Sequence, residues 1–124
     1  MKEKALKVLV VDDALLVLER LSKIIGELAC VKETLLTTGY DDAIRLIDSF
    51  NPNIVFLDIQ LPKSSGIEIL EYIKRKHANI NVVMISNQAN EFYKIICKKL
   101  GSDYFVDKSS EFEHIPTIIE SYAC

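Results

Sequence analysis

Five short apolar runs, Leu6 to Val11, Val31 to Leu36, Ile54 to Leu57, Ile80 to Ile85 and Tyr104 to Val106, recur along a chain of 124 residues. Several are β-branched and continuous rather than alternating, as in strands covered on both faces. The stretches between them have helical period. Leu15, Leu18, Leu21, Ile24, Ile25 and Leu28 make one stripe; Ala43, Ile44, Ile47 and Phe50 a second; Ile67, Ile69, Leu70 and Ile73 a third; Tyr93, Ile96, Cys97 and Leu100 a fourth. The order is β-α repeated five times. Strands joined through helices of this length need right-handed crossovers, which builds a parallel sheet with helices on both faces, an α/β/α sandwich. The length fits a single domain over residues 1–124.

In an open parallel sheet, functional groups collect beyond the carboxyl ends of the strands. Those ends carry Asp12 and Asp13 after strand one, Asp58 after strand three, Ser86 after strand four, and Asp107 with Lys108 after strand five. A lone aspartate in such a place usually forms a turn or caps a helix, a lone lysine is usually solvated, and Ser86 before NQANEF could simply cap the next helix. Together they suggest chemistry. Three carboxylates call for a hard divalent cation such as Mg2+, or Mn2+ in its place, and no HxxH or CxxC spacing offers a zinc site. An aspartate nucleophile, a cation, a lysine and a hydroxyl can make and break an acyl phosphate.

Composition narrows the surroundings. Nearly half the residues are apolar, the formal charge is −3, and no basic run builds a nucleic-acid footprint. Neither a signal peptide nor a membrane-length apolar run is present, so membrane contact is not expected. Cys30, Cys97 and Cys124 lack paired spacing and suggest a reducing, cytoplasmic setting.

The motifs VVDD (Asp12, Asp13), FLDIQLPKSSG (Asp58, Leu61-Pro62, Gly66), VVMIS (Ser86) and GSDYFVDK (Lys108) together resemble the response-regulator receiver domain, over essentially the whole chain. The resemblance implies a flavodoxin-like strand order 2-1-3-4-5. It also implies phosphorylation of Asp58 by a sensor histidine kinase or histidine phosphotransfer protein, with slow autodephosphorylation rather than conventional enzyme turnover. Mg2+ would be held by Asp13, Asp58 and the backbone carbonyl of Gln60, with Asp12 an accessory ligand through water. Ser86 and Lys108 would bind the phosphoryl group and Phe105 would be the aromatic switch. The face of the fourth helix, fifth strand and fifth helix would then change, for a downstream target or for a homodimer. Phe92 and Ile95, turned away from the fourth stripe, are candidates for that face or for partial burial.

Three departures from the family pattern stand out. Asn87 follows Ser86 where a small residue is usual, and Ser109 follows Lys108 where proline across a cis bond is usual, so either a cis bond survives or the loop changes. Gln60, two residues past the acceptor, is placed to influence water attack on the phosphoaspartate. These departures motivate an alternative, a non-phosphorylated interaction module with the same fold. A haloacid-type phosphatase is disfavoured because strand one lacks a DxD. Four local expectations complete the reading. His77 and His114 face solvent, KSSG is a capped loop entering helix three, Ser110 and Glu113 read as a capping box, and the last helix either is kinked at Pro116 or, the favoured alternative, begins near Pro116 after a single turn around Phe112.

Overall fold

A computed structural model describes residues 5–61, 63–87 and 90–123. The expected Pro62, the Gln88-Ala89 stretch and Cys124 lie outside them. The elements follow the order β1 (Leu6–Val11), α1 (Leu15–Gly26), β2 (Val31–Thr37), α2 (Tyr40–Phe50), β3 (Ile54–Asp58), α3 (Gly66–Lys76), β4 (Asn81–Ser86), α4 (Glu91–Lys99), β5 (Tyr104–Asp107) and α5 (Ile115–Ala123). The five strands pair in parallel in the order β2-β1-β3-β4-β5, which is the expected 2-1-3-4-5.

Side-chain alternation divides the central strands between two cores. Val8, Val10, Ile54, Phe56, Val83 and Ile85 pack with Leu21 and Ile25 of α1 and Ile115 and Ile119 of α5. Leu9, Val11, Val55, Leu57, Val82 and Met84 pack with Ile47 of α2, Leu70 and Ile73 of α3 and Cys97 of α4. Both faces are therefore dry, which explains runs that are apolar throughout. Each fully buried aliphatic or aromatic side chain contributes about 1.5–3 kcal/mol, so the sheet is a stiff platform for whatever sits at its edge.

Several local expectations are met. Ser65 caps α3 by accepting a hydrogen bond from the Ile67 N–H at 3.1 Å, so KSSG is a capped loop. Just before it and into it, Gln60–Leu61 and Ser64–Ser65 form a two-rung antiparallel pair that the sequence did not suggest, and Lys63 between them has φ at 65°. A 3-10 turn over Phe112–His114 precedes α5, which places Pro116 in the first turn of that helix, where a missing N–H costs nothing.

Other expectations need correction. Leu15, the first member of the α1 stripe, is exposed at 71%, as is Leu16 at 80%, because α1 starts there, at the sheet's edge. The Ser110/Glu113 capping box does not form: buried Phe112 sets a 3-10 turn instead, and it is Glu111 that reaches back, accepting from the Asp107 N–H at 2.8 Å. His77 is only partly exposed, with Nε2 2.8 Å from Asp48 Oδ1, whereas His114 is exposed as expected.

Candidate functional site

The strands end on their functional residues. Asp58 is the last residue of β3, Ser86 of β4 and Asp107 of β5, while Asp12 follows β1 directly. Parallel pairing sets Ser86 opposite Asp107, and the Lys108 N–H then donates to Ser86 O at 3.0 Å. Lys108 is thereby tied by its backbone to the end of β4 while its ammonium reaches inward. Nζ lies 2.5 Å from Asp12 Oδ2 and 3.1 Å from Asp58 Oδ2. The other carboxylate oxygens meet backbone: Asp12 Oδ1 accepts from the Ala14 N–H at 2.8 Å, and Asp58 Oδ1 from the Gln60 N–H at 3.3 Å.

Burial makes this arrangement costly. Asp12 is 0% and Asp58 4% exposed, and one ammonium, itself nearly buried, serves both. Burial pushes the Asp58 carboxyl up to about 6, neighbouring Asp12 adds to the rise, and the Lys108 pair with the Gln60 hydrogen bond only partly opposes them. For Lys108, burial disfavours the charge, yet Asp12 and Asp58 outweigh it and the pKa rises. The lysine is thus held cationic by two acids, while one of those acids stays short of compensation.

Asp13 is exposed at the rim, and one oxygen from each of Asp12, Asp13 and Asp58 lies within 4.8 Å of the others. Three convergent carboxylates served by a single ammonium fit a hard oxygen-seeking cation. Among the described residues no other group of His, Cys, Asp and Glu gathers in this way.

The remaining candidates surround this centre. Ser86 is 2% exposed and does not cap α4, since Asn90 does so by accepting from the Tyr93 N–H at 2.9 Å. Asn87 and Gln60 are exposed at the mouth. Phe105 is half-buried on β5 against the α2/α3/α4 core. Lys108 and Ser109 are joined by a trans bond, as are all the described peptides, so of the two sequence alternatives the loop is the one that changed.

Gly66 has a role that the motif alone did not explain. A Cβ there would stand 1.8 Å from the Asp58 carbonyl oxygen, and the Gly66 N–H donates to Ile59 O at 2.7 Å. The start of α3 is thus pressed against the backbone of the acceptor. A glycine just after a capping serine is the signal that could have pointed to this contact.

Residues 8–120 match the family model of the response regulator receiver domain, and the chain belongs to that family. It is 29% identical over 120 residues to a protein-glutamate methylesterase/protein-glutamine glutaminase of Treponema denticola, spanning 94% of this chain and 32% of that protein. To the protein PilG of Pseudomonas aeruginosa it is 28% identical over 119 residues, spanning 94% of this chain and 87% of PilG. The crystal structure of a LuxR-family DNA-binding response regulator from Staphylococcus aureus superposes with a TM-score of 0.85 at 25% identity, covering 97% of this chain and 100% of that one. The chain therefore spans about a third of the length of the first of these relatives. The acidic cluster with its Lys108 ion pairs is the receiver phosphoacceptor pocket, as two-component signalling through a phosphorylated aspartate requires. No described helix is long and apolar enough to cross a membrane.

Proposed function

We propose that residues 1–124 act as one cytoplasmic receiver unit, in which Asp58 takes a phosphoryl group from a phosphohistidine of a sensor kinase or phosphotransfer protein. The observation that carries this is the pairing of two buried carboxylates with a single buried ammonium at the carboxyl edge of the sheet. An oxygen of Asp58 attacks phosphorus, the P–N bond breaks, and its electron pair returns to the imidazole nitrogen. Asp58 ends as an acyl phosphate and the donor as a neutral histidine.

Asp13, Asp58, the Gln60 carbonyl and, through water, Asp12 would hold Mg2+, or Mn2+ in its place, which would supply positive charge against the anionic donor. Lys108 holds its ammonium against the developing charge on the phosphoryl oxygens, and Ser86 donates its hydroxyl to one of them. Gln60 and Asn87, exposed at the entrance, set how readily water reaches the acyl phosphate afterwards.

Phosphorylation then shifts a two-state equilibrium at the α4/β5/α5 face. Phe105 has room for this: grooves of ≈ 350 Å³ toward α4 and ≈ 320 Å³ toward α5 adjoin it. Phe92 at 66%, Ile95 at 51% and Tyr104 at 42% exposure give that face apolar contacts for a downstream target or a second copy of the chain. Leu15 and Leu16, exposed one turn from Asp12 and Asp13, suit docking of the phosphodonor.

Incubation with Mg2+ and acetyl phosphate, followed by intact-mass measurement, should add one phosphate. The adduct should vanish in Asp58→Asn and fall away when a chelator removes the metal. No adduct with acetyl phosphate, phosphoramidate or a phosphohistidine donor would sink the reading and leave the constitutive interaction module.

A further inference from the structure

We propose that Asp107 and Glu111 are positioning residues for Lys108, holding its loop by a hydrogen-bonded clasp across Ser109. The inference rests on Asp58 being the phosphoacceptor. Lys108 brings a buried cation to the pocket, and its ammonium must sit between two carboxylates on a backbone that leaves the sheet at Asp107. The residue after it is Ser109, which is exposed and has neither a ring to fix φ nor a cis bond to fix the turn. Something else must hold the backbone still.

The bonds that do so converge on two carboxylates. Asp107 Oδ1 accepts from the Ser109 N–H at 2.8 Å and from the Ser109 hydroxyl at 2.6 Å, closing a ring over Lys108. Glu111 Oε1 accepts from the Asp107 N–H at 2.8 Å, and the Glu111 N–H donates back to Asp107 O at 2.9 Å. Lys108 is the apex between these ties and the bond from its own N–H to Ser86 O. Both flanking residues are therefore fixed by charge-assisted bonds, which are stronger than neutral ones. Hydrogen bonds from Ser109 hold the Asp107 carboxyl below its ordinary range, consistent with an ionised acceptor at neutral pH.

The clasp stands outside the pocket. Neither Asp107 nor Glu111 belongs to the carboxylate cluster suited to a cation, so removing either disturbs the ammonium while leaving the three ligands in place. A displaced ammonium slows phosphoryl transfer steeply, because stabilisation of developing charge depends on position. The divalent-cation requirement, by contrast, should change little. That split separates a positioning role from general damage to the site.

The test compares Asp107→Ala with Asp107→Asn, whose amide oxygen still accepts from Ser109, in phosphorylation by saturating acetyl phosphate over a Mg2+ titration. Asp107→Ala is expected to lower the rate constant about tenfold, with half-saturating Mg2+ within about twofold of the parent chain and the rate largely recovered in Asp107→Asn. Equal rates in Asp107→Ala and the parent overturn the clasp. Equal loss in both variants also overturns it, since the charge and not the hydrogen bond would then matter. Should Asp107→Ala not fold, Glu111→Ala against Glu111→Gln poses the same comparison. A parent chain that takes no phosphate from any donor refutes the receiver chemistry itself, a result distinct from either outcome above.

Discussion

The two edges of the sheet treat charge in opposite ways. At the amino edge every polar group named has a partner that satisfies it: Lys74 Nζ donates to Ile80 O at 2.7 Å, Asn53 Oδ1 accepts from the Lys7 N–H at 2.8 Å, and Asp103 Oδ2 accepts from the Val82 N–H at 2.9 Å. Beside them, Asp48 on α2 accepts from Tyr72 Oη at 2.7 Å and meets His77 Nε2. The hydrogen bonds from His77 and Tyr72 hold the Asp48 carboxyl below its usual value. At the carboxyl edge Asp58 is pushed the other way, to about 6. The amino edge is held together by its acids, while the carboxyl edge, where Asp107 is held low in the same manner, also keeps in Asp58 an acid that destabilises it. A buried carboxylate that its partners compensate only in part marks where the fold has been bent to chemistry, since stability alone would not retain it.

The sharpest way to break this contrast is Gly66→Ala. A methyl group 1.8 Å from the Asp58 carbonyl oxygen forces backbone apart, and the expected cost is about 3 kcal/mol in urea unfolding, with phosphorylation slowed as well. A loss below about 0.5 kcal/mol would mean that α3 is not pressed on the acceptor.

Asp58→Asn should act in the opposite direction. The folded-state pKa of Asp58 is raised above its unfolded value of 3.8, so the unfolded chain ionises first and the group destabilises the fold increasingly as pH rises from about 4 to about 6, then stays at its full cost. Without added metal, the substitution is expected to stabilise the chain by on the order of 1–3 kcal/mol at pH 7 and by distinctly less at pH 4.5. Thermal melts at the two pH values decide it; an unchanged or lowered melting temperature at pH 7 would contradict the contrast between the edges.

At the amino edge, Asp48→Asn should cost under about 1 kcal/mol, since the carboxylate is half exposed and screened. The loss should appear in urea melts at neutral pH. Smallest of all, Phe92→Ser is expected to change stability by no more than about 0.5 kcal/mol while weakening any partner or self-association through the α4 face, a pairing readable by melt and by sedimentation.

Much of this was legible in the residues. Continuous β-branched runs gave the strands because a sheet covered on both sides has no polar face to alternate with, and Pro116 marked the start of α5 because proline fits only a helix's first turn. Residue types at strand ends pointed to Asp12, Asp58 and Lys108, but their distances depend on register between strands distant in sequence and could not be read locally. The same holds for Asp48 and His77, which meet across the α2/α3 contact. Gly66 was visible as a motif and not as a necessity, since nothing in a sequence shows which backbone a missing Cβ makes room for. Ser110 and Glu113 misled because the chain starts its 3-10 turn one residue later, from Glu111, and the Ser110 N–H that a capping box would give to the glutamate points to Asp107 O at 3.4 Å.

Ser86 and Asp107 form the last rung of the β4–β5 ladder, and Lys108 stands just past it, its N–H on Ser86 O. Parts attached beyond the final rung can be displaced and returned without unzipping the rungs beneath them. A change of charge at this fringe is therefore felt first by the loop beyond the rungs, while the two dry cores beneath keep their packing.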